Sequence, residues 1–202
     1  MSNLTKLTLG IALGANLNSP LDTLLGLRSL LTLELNQWSS STLATRRNEG
    51  LLYWSPLFYT EPLKTSLNQP PYLNAILIVI LSVPLTSLSG QLSQAQNLLN
   101  RLQKLENLFG RLHLEHWGSR TLDLDLLWYG DLQFTSLTIA LPHPHLLERG
   151  FLLSPLATTF PNIVFPLKDQ RFDESLKEIT SIDFGKAPKA LNTAVMWPDT
   201  VY

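Results

Sequence analysis

Apolar and polar positions along the chain switch between two periods. KLTLGIALGANL, Lys6 to Leu17, predicts a first strand that runs into a Gly/Asn turn. Ser19-Pro20 supplies an N-cap and a first helical position, and a leucine-rich helix is expected from there to about Leu35. QWSSSTLATRRNEG keeps no clean period and is expected to be a loop or insertion. Leu51 to Tyr59 predicts a second strand, and PLKTSLNQPP a Pro-rich connection. YLNAILIVILSV is the most strand-like run, dense in Ile, Leu and Val. Helical spacing returns at Leu92, Ala95, Leu98, Leu99, Leu102 and Leu105, which predicts a helix over Leu88 to Phe109 with Gly110 as its stop. A polar loop, a strand around DLDLLWY and a short strand over Leu137 to Leu141 follow, then PHPHLLERGFLLSPLATTFP. From Lys168 the chain is more polar and weakly periodic.

The order strand–helix–strand–strand–helix–strand matches a split βαβ. The expected class is α+β, a ferredoxin-like α/β sandwich. Its antiparallel or mixed sheet carries helices mainly on one face, and the other face is left partly open.

The DLD strand breaks its own apolar pattern. Asp123 and Asp125 point to one face of a strand, and Leu122, Leu124 and Leu126 to the other. Two carboxylates about 6–7 Å apart repel unless a positive charge sits between them. The pair is either solvated on an exposed face or a hard-cation site of the Mg²⁺ type, which takes one or two carboxylates, waters and phosphate oxygens.

Composition narrows the classes. A chain of 202 residues suffices for one domain with a core. No apolar run is long enough for a membrane span, and MSNLTKLTLGIALGAN lacks signal-peptide architecture, so a cytoplasmic protein is expected. The absence of Cys excludes disulfides and thiolate metal sites. A net charge of −1 argues against gripping nucleic acid by bulk electrostatics. Positive charge is nevertheless local: Arg101, Lys104, Arg111 and Arg120 precede the Asp pair and Arg149 follows it.

A hard-cation site invites a nucleotide, yet neither GxxxxGK[ST] nor GxGxxG is present. Any phosphate cradle must then be made by side chains, with Arg111, Arg120 and Arg149 as candidates. His143, held between two prolines, is either a turn residue or a phosphate donor. Tyr72, Trp117 and Phe151 flank polar motifs, and as a group suit a flat heterocycle. Asn74 is the odd residue inside the apolar strand, where a buried amide needs partners.

The chain resembles the 6-hydroxymethyl-7,8-dihydropterin pyrophosphokinase family of the folate pathway, over roughly Leu9 to Phe165. The resemblance rests on ALGANL, QPPYLNA, FGRLHLEHWGSRTLDLDLLWYG and LPHPHLLERGFLLSPLATTFP. It implies transfer of pyrophosphate from ATP to the hydroxymethyl group of a dihydropterin, giving AMP, with Mg²⁺ as cofactor, two ions with the ATP. It implies Asp123 and Asp125 as metal ligands, and Arg120, His143 and Arg149 as triphosphate contacts. The resemblance further implies Arg111 as a loop arginine that closes over the site, in the catalytic set with Arg120 and the Asp pair. It implies Gln103 and Glu106 near the nucleotide. It implies Tyr72 and Phe151 as a pair that sandwiches the pterin, Asn74 as its hydrogen-bond partner, Thr60 and Leu63 as part of a segment reading its edge, and Trp117 as a mobile loop tryptophan in the substrate-binding set. The implied partners are ATP and the dihydropterin, with no nucleic acid or membrane, in a monomer.

Some positions depart from the family pattern. Ala15 stands where Ser is usual, Pro71 where Asp is common, and His113 and His116 where Arg is frequent. The expected organisation is one domain over 1–167, with 35–52 inserted, and a 168–202 extension. Deleting Gly185 to Tyr202 is expected to leave activity in place, because KAPKALNTAV looks weakly packed. Two readings compete: a metal-dependent phosphoesterase or nuclease, which has no use for Asn74 and the aromatic pair, and a non-catalytic ferredoxin-like binding module.

Overall fold

The computed structural model describes residues 4–43, 50–62, 69–110, 121–146, 150–160, 189–191 and 197. In chain order the first half holds β1 (Leu4–Ala15), α1 (Pro20–Thr42), β2 (Leu51–Trp54), β3 (Phe58–Thr60) and β4 (Tyr72–Pro84). The second half holds α2 (Leu88–Leu108), β5 (Asp123–Tyr129), β6 (Phe134–Thr135), β7 (Ala140–Leu141), α3 (Gly150–Thr159) and β8 (Lys189–Ala190).

β1 and β4 are the spine. They pair antiparallel over their whole length, from Leu4 opposite Pro84 to Ala15 opposite Leu73. Both are apolar on two faces because both faces are covered. β5 lies on the far edge of β1, while β2 and β3 lie end to end along the far edge of β4. β8 adds outside β3, so the main sheet runs β5-β1-β4-β3-β8 with every pair antiparallel. β6 and β7 form a separate hairpin.

The larger core lies between the sheet and the two long helices. Leu24, Leu27, Leu31, Leu35 and Trp38 of α1 and Ala95, Leu98, Leu102 and Leu105 of α2 close it. Arg101 of α2 pairs with Glu34 of α1, so this cation serves helix packing on the face away from the Asp pair. On the opposite face α3 brings Leu152, Leu153, Leu156 and Ala157 against Ile76, Ile78, Leu127 and Trp128. This is the expected α+β sandwich with helices mainly on one face, and α3 covers part of the other.

Four details differ from the sequence reading. α1 continues past Leu35 to Thr42, taking in part of the expected loop, because Trp38 extends its buried stripe. Ser39 and Ser41 bond back along the helix instead of breaking it: Ser41 Oγ donates to Gln37 O at 2.7 Å. The single strand expected over Leu51 to Tyr59 is two, separated at Ser55-Pro56-Leu57. The strand expected over Leu137 to Leu141 shrinks to Ala140–Leu141. The tail is anchored: Lys189–Ala190 pairs with Phe58–Tyr59, and Trp197 is 1% exposed.

The helix ends follow local chemistry. Pro20 opens α1, although the Ser19 side chain makes no cap bond. The Ser87 hydroxyl caps α2 by accepting from Gly90 N, and Gly110 at φ 77° follows its last turn.

Candidate active site

Residues opposite one another in an antiparallel pair share a face. Asp123 lies opposite Gly14, Gly14 opposite Asn74, and Asn74 opposite Phe58. One row along, Asp125 lies opposite Ala12 and Ala12 opposite Ile76. Tyr72, two residues before Asn74, is on the same face opposite Thr60. The register therefore puts both carboxylates, the odd asparagine and an aromatic ring on one sheet face, the face that α3 covers further along at Ile76, Ile78, Leu127 and Trp128. With strands about 4.8 Å apart, Asp123 and Asn74 are about 10 Å apart across Gly14.

Gly14 keeps that interval open. A Cβ there would sit 2.8 Å from Asn74 Oδ1 and 4.0 Å from Asp123 Cβ. The Asn74 side chain is buried, and its Nδ2 donates to Thr60 Oγ1 at 2.7 Å. A buried amide is thus held by a named partner with Oδ1 turned toward the sheet centre. Close by, buried Asn16 donates from Nδ2 to Pro70 O at 3.3 Å, which ties the end of β1 to the segment leading into Tyr72. Tyr72 is half-buried and its hydroxyl donates to Gln69 Oε1 at 3.2 Å.

Asp123 and Asp125 are half-buried, with Leu124 between them buried on the opposite face. The Leu124 N–H donates to Glu106 Oε1 at 2.8 Å, and Glu106 is 2% exposed. A carboxylate of α2 therefore fixes the backbone between the two aspartates. Further along, His143 N donates to Leu127 O at 2.7 Å, which ties the proline-flanked histidine to the same strand. His143 Nδ1 accepts from His145 N at 3.3 Å, so in the neutral ring the proton sits on Nε2.

A one-residue slip shapes the rest of β5. Ile11 faces Leu126 but Gly10 faces Trp128, so Leu127 is the extra residue of a bulge. Leu127 and Trp128 consequently both join the α3 core, and Tyr129 returns to the helix core. Only glycine fits at position 10, where a Cβ would meet a Trp128 ring carbon at 2.1 Å. The Tyr129 hydroxyl donates to Gln94 Oε1 at 3.1 Å, and burial pushes its pKa well above the ordinary tyrosine value.

The remaining expected site residues are spread more widely. Gln103 is exposed on α2, one turn before Glu106. Phe151 is the second residue of α3, and its side chain is outside the described residues. Leu63, Arg111, His113, His116, Trp117, Arg120 and Arg149 lie outside the described residues. The sequence pattern reads Gly14 and Asn16 as a turn after the first strand, whereas β1 runs through Gly14 to Ala15 and pairs it on both sides. A glycine inside an otherwise apolar strand was the available signal, since it marks close approach of another group.

The donor chemistry suits a hard divalent cation: two carboxylates two residues apart on one face, beside Ala12 and Gly14, which carry no long side chain. Among the described residues no group of three or more His, Asp or Glu side chains forms a closed metal cage. Such an ion would complete its shell from water or ligand oxygens.

Residues 10–161 match the family model for 7,8-dihydro-6-hydroxymethylpterin-pyrophosphokinase (HPPK). A 2-amino-4-hydroxy-6-hydroxymethyldihydropteridine pyrophosphokinase of Haemophilus influenzae is 32% identical over 160 residues, covering 79% of this chain and 86% of the relative. One of the same name from Synechocystis is 35% identical over 111 residues, 55% of this chain and 52% of the relative. The Plasmodium falciparum HPPK-DHPS structure with SDX-DHP superimposes on 99% of the chain and 50% of its own, with a TM-score of 0.54 at 10% identity. That likeness shows the fold. The chain spans about half the length of the Synechocystis and Plasmodium proteins. From the match over residues 10–161 and the Haemophilus relative, this chain belongs to the HPPK family.

Proposed function

We propose that the protein transfers pyrophosphate from ATP to the hydroxymethyl group of 6-hydroxymethyl-7,8-dihydropterin, giving AMP and the pterin diphosphate in folate synthesis. The observation that carries this reading is the row Asp123–Gly14–Asn74. Two carboxylates and a buried amide share one sheet face about two strand spacings apart, which supports a metal-and-phosphate end beside a heterocycle end.

Asp123 and Asp125 hold the magnesium, two ions with the ATP. Bound there, the metal supplies positive charge against the triphosphate. Arg111, Arg120 and Arg149 bind the phosphates as guanidinium forks. His143 donates to a phosphate oxygen from Nε2, its Nδ1 being occupied by His145 N. Glu106 positions the Asp strand through Leu124 N and with Gln103 borders the nucleotide, while Trp117 belongs to the substrate-binding set. Asn74 reads the pterin edge with Thr60 and the Leu63 segment, and Tyr72 and Phe151 enclose its faces. In phosphoryl-type transfer the protein mostly positions and neutralises, so order in these groups governs the rate. We further propose a cytoplasmic monomer whose partners are these two substrates, with no nucleic acid or membrane. No described helix is long and apolar enough to cross a membrane.

Incubation with ATP, Mg²⁺ and 6-hydroxymethyl-7,8-dihydropterin is expected to yield AMP and pterin diphosphate in equal amounts. Neither should form when the pterin is withheld. ADP as product, or AMP released without pterin, would overturn the reading and favour a phosphoesterase.

Gly14→Ala separates the two ends. Its methyl group collides with Asn74 Oδ1, the tip of a side chain, so the fold should survive while the amide turns away. Losing one well-aimed hydrogen bond costs about 1–2 kcal/mol, or roughly 5–30-fold in the KM for pterin. The KM for ATP should change much less. Steady-state kinetics with each substrate varied in turn checks this, and an equal rise in both values would place Asn74 outside the pterin contact.

A further inference from the structure

We infer that the C-terminal segment carrying β8 and Trp197 is a positioning element for the pterin half of the site. It acts by holding Ser55 to Thr60 against β4. The inference rests on the pterin reading of Asn74 and Thr60.

Ser55 is the point where β2 gives way to β3, and it is fully buried. Its N–H donates to Ile76 O at 2.8 Å, and its Oγ accepts from Ile76 N at 2.8 Å. The same hydroxyl donates to Pro56 O at 2.8 Å. The Ser55 carbonyl then accepts from Trp197 Nε1 at 2.8 Å, across 142 residues of sequence. Trp197 packs edge-on against Trp54, ring centroids 5.4 Å apart, and the Arg28 guanidinium lies 4.8 Å from both ring centroids. Arg28 thus makes a cation–π contact with both of these mutually perpendicular rings beside the strand break. Two residues on, Leu191 N donates to Leu57 O at 2.7 Å, and β8 pairs with Phe58 and Tyr59.

The tail thus grips the segment at Ser55, Leu57, Phe58 and Tyr59. The next residue is Thr60, whose Oγ1 accepts from Asn74 Nδ2. β3 is three residues long, too short to hold its own register on one partner strand. Removing the outer partner loosens Thr60 and with it the Asn74 amide. These tail contacts fall on α1 and on the β2–β3 segment, whereas the Asp pair is on β5 at the opposite edge of the sheet. Tail and metal end are therefore separable, and deletion of Gly185 to Tyr202 should impair the enzyme through the pterin rather than leave it unaffected.

The test uses the full chain with Trp197→Ala, Trp197→Phe and Leu191→Pro, the last removing the N–H that reaches Leu57 O. In folded variants the KM for pterin should rise about tenfold, and that for ATP by less than about twofold. Trp197→Phe keeps a ring beside Arg28 and should fall between Trp197→Ala and the native chain. Amide hydrogen exchange over Ser55 to Thr60 should quicken while that of β5 does not. Equal changes in both KM values, or unaltered exchange over Ser55 to Thr60, would overturn the inference. If Trp197→Ala fails to fold, the other two variants carry the same comparison. Native protein that makes no AMP with pterin would instead refute the proposed activity, and the exchange result would still decide the role of the tail.

Discussion

Asp123→Ala and Asp125→Ala are each expected to lower turnover at least about 10²–10³-fold, the scale of losing one preorganised charge-stabilising group. Each carboxylate is half-buried on the open face, and neither joins an apolar cluster. The backbone between them is fixed from behind by Glu106 through Leu124 N, a bond that neither substitution removes. Truncating one member also relieves repulsion from the other, which offsets the packing that its methylene and carboxyl groups provide. Stability should therefore move by no more than about 1 kcal/mol, or a few degrees in Tm. Calorimetric titration with Mg²⁺ and the non-hydrolysable ATP analogue should show weakened joint binding, while the pterin arm of the face is intact. Near-native turnover in either variant at saturating Mg²⁺ would remove these residues from the metal site.

Trp38→Ala should have the largest effect on stability, about 3–5 kcal/mol. Trp38 is fully buried near the end of α1 and meets Tyr129 edge-on, ring centroids 6.2 Å apart and planes at 79°. Removing it hollows the helix core beside the last residue of β5. For a chain of this size the loss corresponds to a fall in Tm of about 6–20 °C. Trp38→Phe should cost much less. The phenyl ring retains most of the apolar contact, and the indole Nε1 it eliminates has no hydrogen-bond partner among the described residues. Urea unfolding of both variants provides the check. A midpoint for Trp38→Ala equal to the native value would mean that this end of α1 contributes nothing to the core.

The legible parts of the chain were those with a strong period or a polar residue out of place. DLDLLWY announces its strand and its open face because carboxylates alternate with leucines. YLNAILIVILSV announces a central strand, and Asn74 stands out because a buried amide needs a reason. α1 was cut short at Leu35 because the serines after it suggest a loop. The hydroxyls of Ser39 and Ser41 instead bond to carbonyls of the preceding turn, and Trp38 extends the stripe of Leu24, Leu27, Leu31 and Leu35. Pro56 was a sign that Leu51 to Tyr59 is not one strand. The docking of the tail had no period to betray it. A two-residue strand and one tryptophan are made structural by partners more than a hundred residues away, which local pattern does not encode. On the candidate site, the row Asp123–Gly14–Asn74 requires the register of three strands, and register is a tertiary property.

The main sheet ends on one side at β5 and on the other, past β3, at β8. At each end part of the outer backbone is taken up, β2 being the edge strand that pairs with β4 alone among the described strands. Glu106 occupies the Leu124 N–H of β5, and the loop at His143 occupies the Leu127 carbonyl. On the other side β8 occupies the backbone groups of Phe58 and Tyr59. An unguarded strand of this kind recruits a strand from a second molecule, the usual first step toward aggregation. The same few bonds therefore also reduce the backbone that β5 and β3 offer for self-association. A chain stripped of its last eighteen residues would offer Phe58 and Tyr59 to its neighbours, a hazard that grows with concentration and is invisible in a dilute kinetic assay.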